Sequence, residues 1–138
     1  MHLKSMICYL RMIIKHLSVV KKMLLLVSIA YSLTLVIASL ITLNGVPSLG
    51  SSFDDKIYHI VAYLGLTLLW GLYVKHFKKS QLLYIVCFAA IFLGFMLELL
   101  QYFVNPNRTY DTYDLIANSI GAIFGTLIVS KIIRYKLN

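Results

Sequence analysis

The side chains in this sequence with the most chemistry to offer are five carboxylates and a histidine, and they are not scattered. Asp54 and Asp55 open one apolar stretch, with His59 four residues after Asp55. Glu98 lies inside a second, with Gln101 three residues on. Asp111 and Asp114 open a third, with Asn118 four residues after Asp114. Residues three or four apart share a helix face, so Asp55–His59, Glu98–Gln101 and Asp114–Asn118 each make a polar stripe on a helix. Carboxylates gathered around a histidine can perform acid–base chemistry or hold a divalent cation. His59 and Arg108 can also receive an anionic group, with the carboxylates orienting them. If the helices pack side by side, Asp55, His59, Glu98, Gln101, Arg108, Asp111, Asp114 and Asn118 form one polar pocket.

Most of these residues have a plainer use. Asp54 or Asp55, and Asp111 with Asp114, stand where helix N-caps stand. His59 and Gln101 lie near enough to a helix end to reach water, Arg108 falls in a loop, and the tyrosines suit an interfacial belt. Glu98 cannot be a cap. It is seven residues from Asn105, about 10 Å along the helix, and a carboxylate at that depth in lipid faces the bundle interior and a partner.

The elements that position these groups follow from composition. Of 138 residues, 60% are hydrophobic and 13% charged, against about 25% charged in soluble domains; a soluble chain this short leaves about a third of its unfolded surface exposed. Lipid is the better solvent. Four apolar stretches run over about 23–43, 57–74, 82–104 and 112–133, with Glu98 inside the third and Asp114 inside the fourth. About 20 residues rising about 1.5 Å each cross a hydrocarbon core of about 30 Å. Turn-forming residues separate them: Asn44-Gly45-Val46-Pro47, Gly50-Ser51-Ser52, the segment 76–80, and Asn105-Pro106-Asn107. The expected fold is all-α, a polytopic four-transmembrane-helix bundle over 23–133 with a short tail at 134–138. The first stretch is longer than a signal-peptide core and no Ala-x-Ala follows it, so it reads as a retained anchor. Ahead of it, 1–22 is a basic segment with Ile7, Leu10, Ile14 and Leu17 at helical spacing, either an amphipathic helix in the membrane interface or a stretch upstream of a start at Met6, Met12 or Met23.

Eleven of the 13 basic residues precede the first span, lie between the second and third, or stand at or beyond the end of the fourth; Lys56 and Arg108 are the exceptions. The positive-inside bias puts both termini in the cytoplasm, in a multi-pass protein of the inner or plasma membrane. It also accounts for the net charge of +8 without nucleic acid, since basic flanks suit anionic lipid headgroups. Cys8 and Cys87 stand in apolar surroundings without metal-like spacing and read as small hydrophobes. No metal and no cofactor is expected, the partners expected first are membrane lipids, and the oligomeric state is not specified. Gly121-Ala-Ile-Phe-Gly125 is a G-x-x-x-G that lets two helices approach closely.

The series Asp55-Lys56-Ile-Tyr-His59-Ile-Val-Ala62-Tyr63, then Glu98-Leu-Leu-Gln101-Tyr-Phe, then Arg108-Thr-Tyr-Asp111-Thr-Tyr-Asp114-Leu-Ile-Ala-Asn118-Ser-Ile-Gly121-Ala-Ile-Phe-Gly125 resembles the VanZ-like family over roughly 23–133. That family is named for a member associated with reduced susceptibility to the glycopeptide teicoplanin, so the resemblance implies an envelope role rather than a reaction. Its leading form is a binding or accessory protein whose outward pocket holds a lipid-linked cell-wall precursor or a glycopeptide-related ligand. An enzyme using the carboxylates and His59 is the alternative, although H-E-x-x-H, G-x-S-x-G and a phosphate-binding glycine loop are all absent. A small transporter comes third, because four spans leave little room for inverted repeats.

Overall fold

The computed structural model describes residues 2–41, 54–77, 79–104 and 111–135, with side-chain surroundings from Arg11 onward except at 13, 14 and 16. The apolar stretches are helices: α1 is His2–Leu40, α2 Asp54–Val74, α3 Gln81–Val104 and α4 Thr112–Tyr135, and a 3-10 turn at Lys75–Phe77 ends α2. Among the described residues there is no strand. Each helix, α2 together with its 3-10 turn, supplies a 24-residue stretch long and apolar enough to cross a membrane, namely Leu17–Leu40, Asp54–Phe77, Gln81–Val104 and Thr112–Tyr135.

The basic N-terminal segment is helical and runs without a break into the first span. α1 continues unbroken for 39 residues, so no helix end falls at the 22/23 boundary read from composition. Lys21 and Lys22 are good helix formers and nothing between them and Met23 breaks a helix. The side chains of Ile7, Leu10 and Ile14, like Cys8, lie outside those described.

α2 and α4 make the most extensive contact in the bundle; α3 packs mainly on α4, and α1 leans on α2 and α3. Small residues explain the α2–α4 pairing. A Cβ at Gly121 would strike the backbone carbonyl of Ile60, and one at Gly125 would strike the Thr67 hydroxyl. Only glycine lets the two backbones come this close, and in lipid such approach, rather than apolar burial, drives association. Ala122, next to Gly121, and Val129, one turn beyond Gly125, are also buried.

The opposite faces are apolar and exposed: Leu26 and Leu33 on α1, Phe88 and Phe92 on α3, Ile123, Phe124 and Leu127 on α4. Inside, Leu35, Tyr63, Leu66, Ala90, Leu97 and Ala122 form a packed apolar core, while buried polar side chains such as Thr67, Glu98, Asp114 and Asn118 stand among the helices. Hydroxyls inside the helices bond back to carbonyls of the preceding turn, as Ser28 does to Leu24 at 2.7 Å, Thr67 to Tyr63 at 2.9 Å and Thr126 to Ala122 at 2.8 Å. Others tie α1 to the bundle: the Tyr31 hydroxyl donates to the Ala62 carbonyl at 3.0 Å and the Trp70 indole to the Ser32 hydroxyl at 3.0 Å.

The helices alternate in direction. Near the end of α3, Gln101 donates to the Ser39 carbonyl near the end of α1, whereas Lys21, early in the first span, stands 4.0 Å from the Phe77 ring just beyond α2. One end of the bundle therefore collects the first turns of α2 and α4 with the last turns of α1 and α3. That end carries the acidic residues.

Candidate functional site

Lys56 is the hub of the site. It lies in the first turn of α2, and its ammonium donates to Oδ2 of Asp111 at 2.6 Å, to Oδ1 of Asp114, and to Oδ2 of the neighbouring Asp55 at 3.4 Å. Asp114 is the buried member, its side chain 4% exposed, against 36% for Asp111 and 59% for Asp55. One turn further along α2, His59 brings Nε2 to 3.8 Å from Oδ1 of Asp55 and 3.7 Å from Oδ2 of Asp114. Its other ring nitrogen, Nδ1, is 2.9 Å from Oδ1 of Asn118. A carbonyl oxygen only accepts, so Nδ1 carries the proton.

Each aspartate of α4 has its own task. Asp111 is the cap: its Oδ1 accepts the Tyr113 amide at 2.8 Å, and its backbone carbonyl accepts the Asp114 amide. Donation from Lys56 above all, and from the Tyr113 amide after it, holds the Asp111 carboxyl below the usual carboxylate range. Asp114 is no cap. Its side chain turns inward to Lys56 and His59, which the i,i+4 stripe with Asn118 already implied.

Below this layer, Tyr63 lies one turn deeper than His59 on the same face of α2. Its ring edge and the Asn118 side chain both crowd Gly94 of α3, each within 3.2 Å of where a Cβ would stand. Glu98, one turn along α3 from Gly94, is buried at 4% exposed. The Tyr63 hydroxyl itself is buried and has no hydrogen-bond partner among the described residues.

Of the residues predicted to converge, the structure thus gathers Asp55, His59, Asp111, Asp114 and Asn118 in one ion-paired cluster, with Glu98 buried beside its floor. Gln101 is turned away: its amide donates to the Ser39 carbonyl of α1 at 2.5 Å. Arg108 lies outside the described residues. Gly121 and Gly125 hold α2 against α4 as expected. Lys56 is the residue that motif spacing missed, and charge could have found it, as one of two basic residues among five acidic ones at this end.

Three ligand atoms, one each from Asp55, His59 and Asp114, lie within 4.8 Å of one another. The arrangement can therefore share a proton, hold a cation, or orient a polar group delivered to the membrane surface.

A helical bundle with four spans and a charged cluster built between α2 and α4 defines a small polytopic membrane protein. The chain belongs to the VanZ/LLP1 family, whose model matches residues 38–134 and so takes in every member of the cluster. It is also similar to an uncharacterized protein of Schizosaccharomyces pombe, 31% identical over 84 residues. That match covers 59% of this chain and 50% of the yeast protein, so the chain spans about half the length of that relative. No solved structure matches the chain.

Proposed function

We propose that this VanZ-like protein is a binding or accessory component of the cell envelope, which holds the polar headgroup of a lipid-linked cell-wall precursor at the clustered end of its bundle. The observation that carries this reading is Asp114: a carboxylate with a 4% exposed side chain, held by Lys56 and facing His59, in a bundle whose other faces suit lipid. Charged groups inside membrane proteins are expensive and mark the places where polar ligands are handled. The cluster end faces away from the cytoplasm, a placement supported by the 11 basic residues at the other end and on the termini. Reduced susceptibility to teicoplanin would follow if the bound precursor is withheld from the drug.

The test is native mass spectrometry of the detergent-purified chain with a lipid-linked cell-wall precursor, alongside teicoplanin susceptibility of cells expressing it. Retention of the precursor over bulk phospholipid, lost in Glu98→Gln together with any tolerance, supports the reading. Equal retention of both lipids by wild type and variant defeats it.

His59 between two carboxylates also favours a second reading, in which the imidazole acts as acid or base on an envelope lipid. Conversion of the added precursor to a new mass would select it.

A further inference from the structure

We propose that Asp55, His59 and Asp114 form a binding site for a divalent metal ion of the Zn²⁺ type. The two aspartates divide their oxygens in the same way. Asp114 gives Oδ1 to Lys56 and turns Oδ2 to His59 Nε2 at 3.7 Å; Asp55 gives Oδ2 to Lys56 and turns Oδ1 to the same nitrogen at 3.8 Å. Lys56 thus satisfies one oxygen of each carboxylate and leaves the other facing a ring nitrogen. These distances are too long for hydrogen bonds, which lie near 2.9 Å. They approach the separation of about 3.4 Å that Zn–N and Zn–O bonds of about 2.1 Å impose on the corners of a tetrahedron.

The tautomer of His59 strengthens the case. Because Nδ1–H donates to Asn118, neutral His59 directs the lone pair of Nε2 between two carboxylate oxygens, where a second proton or a metal ion is needed. Metal-bound histidines almost always anchor their other N–H on a carbonyl or carboxylate in this manner. Charge points the same way: Asp55, Asp111 and Asp114 against Lys56 leave the cluster formally two negative charges in excess, the amount one divalent ion cancels.

A separate observation comes from the floor. Tyr63 is 2% exposed, packs beside Asn118 at Gly94, and its hydroxyl has no partner among the described residues. Three protein ligands leave a fourth tetrahedral position for water or an anion. An imidazole in the set favours Zn²⁺ over Mg²⁺ or Ca²⁺.

The test uses the full chain in detergent, stripped with chelator and titrated with Zn²⁺ against a chromophoric competitor. One Zn²⁺ per chain is expected, with X-ray absorption showing only N and O ligands at about 2.0–2.2 Å. Asp55→Asn, at an exposed side chain that the fold tolerates, should weaken binding at least about tenfold, and His59→Ala should abolish it. His76→Ala, on the 3-10 turn at the far end, should leave it unchanged. Equal affinity in wild type and Asp55→Asn, loss on His76→Ala, or equal competition by Mg²⁺ overturns the proposal. The measurement involves metal alone, so its failure leaves precursor binding standing, and failure of precursor binding leaves the metal site standing.

Discussion

Lys56 on α2 and Asp114 on α4 pair across 58 positions of sequence. The two helices are the same two that Gly121 and Gly125 bring into backbone contact. The pair therefore sits where close approach has already excluded bulk, and it fixes the rotation of one helix against the other. A small-residue stripe alone permits sliding and rotation; an ion pair at one end of it does not.

Asp114→Ala should be the most damaging single change in the cluster. It strands one side of the Lys56 ammonium and removes a partner of His59, and breaking a buried pair by deleting one member costs about 3 kcal/mol. Asp111→Ala removes a more exposed partner and a cap, worth about 1 kcal/mol. Chemical unfolding in mixed micelles should rank Asp114→Ala below Asp111→Ala; the reverse order would mean the network is anchored at the surface.

Gly121→Leu should push α4 off α2. The added side chain meets the Ile60 carbonyl and the Leu64 amide, neither of which can rotate away, so a loss of at least about 2 kcal/mol is expected. Ile123→Leu, on an exposed face, should melt like wild type in detergent. Similar melting of the two variants would remove the stripe as an interface.

The spans and the glycine stripe were legible because lipid imposes simple rules on length and on small residues. The inward turn of Asp114 was legible from its spacing to Asn118 and Gly121. The partners were not. Gln101 shares a face with Glu98, yet its amide reaches α1 because the rotation of α3 against a third helix decides where a long side chain ends. Lys56 was read as an exception to the charge bias and as one position of the family series, not as a member of the pocket. Its placement depends on two helix starts meeting, a contact that no local pattern encodes.

The pH response of the cap should run in one direction. Asp111 has a native carboxyl value below its usual one, mainly because Lys56 donates to it. Its contribution is therefore complete above the unfolded value of about 3.9 and is lost as pH falls below it toward the native value. Asp111→Asn keeps a competent cap and removes the charge. The melting difference between wild type and this variant should be level from about pH 6 to 4.5 and shrink below about 4. A difference that widens on acidification contradicts the assignment.

Topology is open to reporter fusions. The basic asymmetry predicts that fusions after Lys79 and at the C-terminus report the cytoplasm, whereas those near Ser51 and Asn107 report the outside. An external C-terminus would place the cluster on the cytoplasmic face or remove a span, and either result ends the outward-facing reading.

Glu98 separates structure from function most sharply. It is buried at 4% exposed in the second half of α3, one turn along from Gly94, against which Tyr63 packs. Gln has nearly the same shape and can both donate and accept, so a purely structural Glu98 is replaced by Gln with little effect. A side chain whose charge matters to a bound headgroup is not. Glu98→Gln should thus express and melt within about 1 kcal/mol of wild type, the size of one net hydrogen bond, while losing precursor retention and any tolerance phenotype. Glu98→Leu supplies the contrast, since it deletes a buried polar group and should leave Zn²⁺ binding by Asp55, His59 and Asp114 intact if the fold survives. Unchanged precursor retention in Glu98→Gln would assign this carboxylate to the packing of α3 and nothing more.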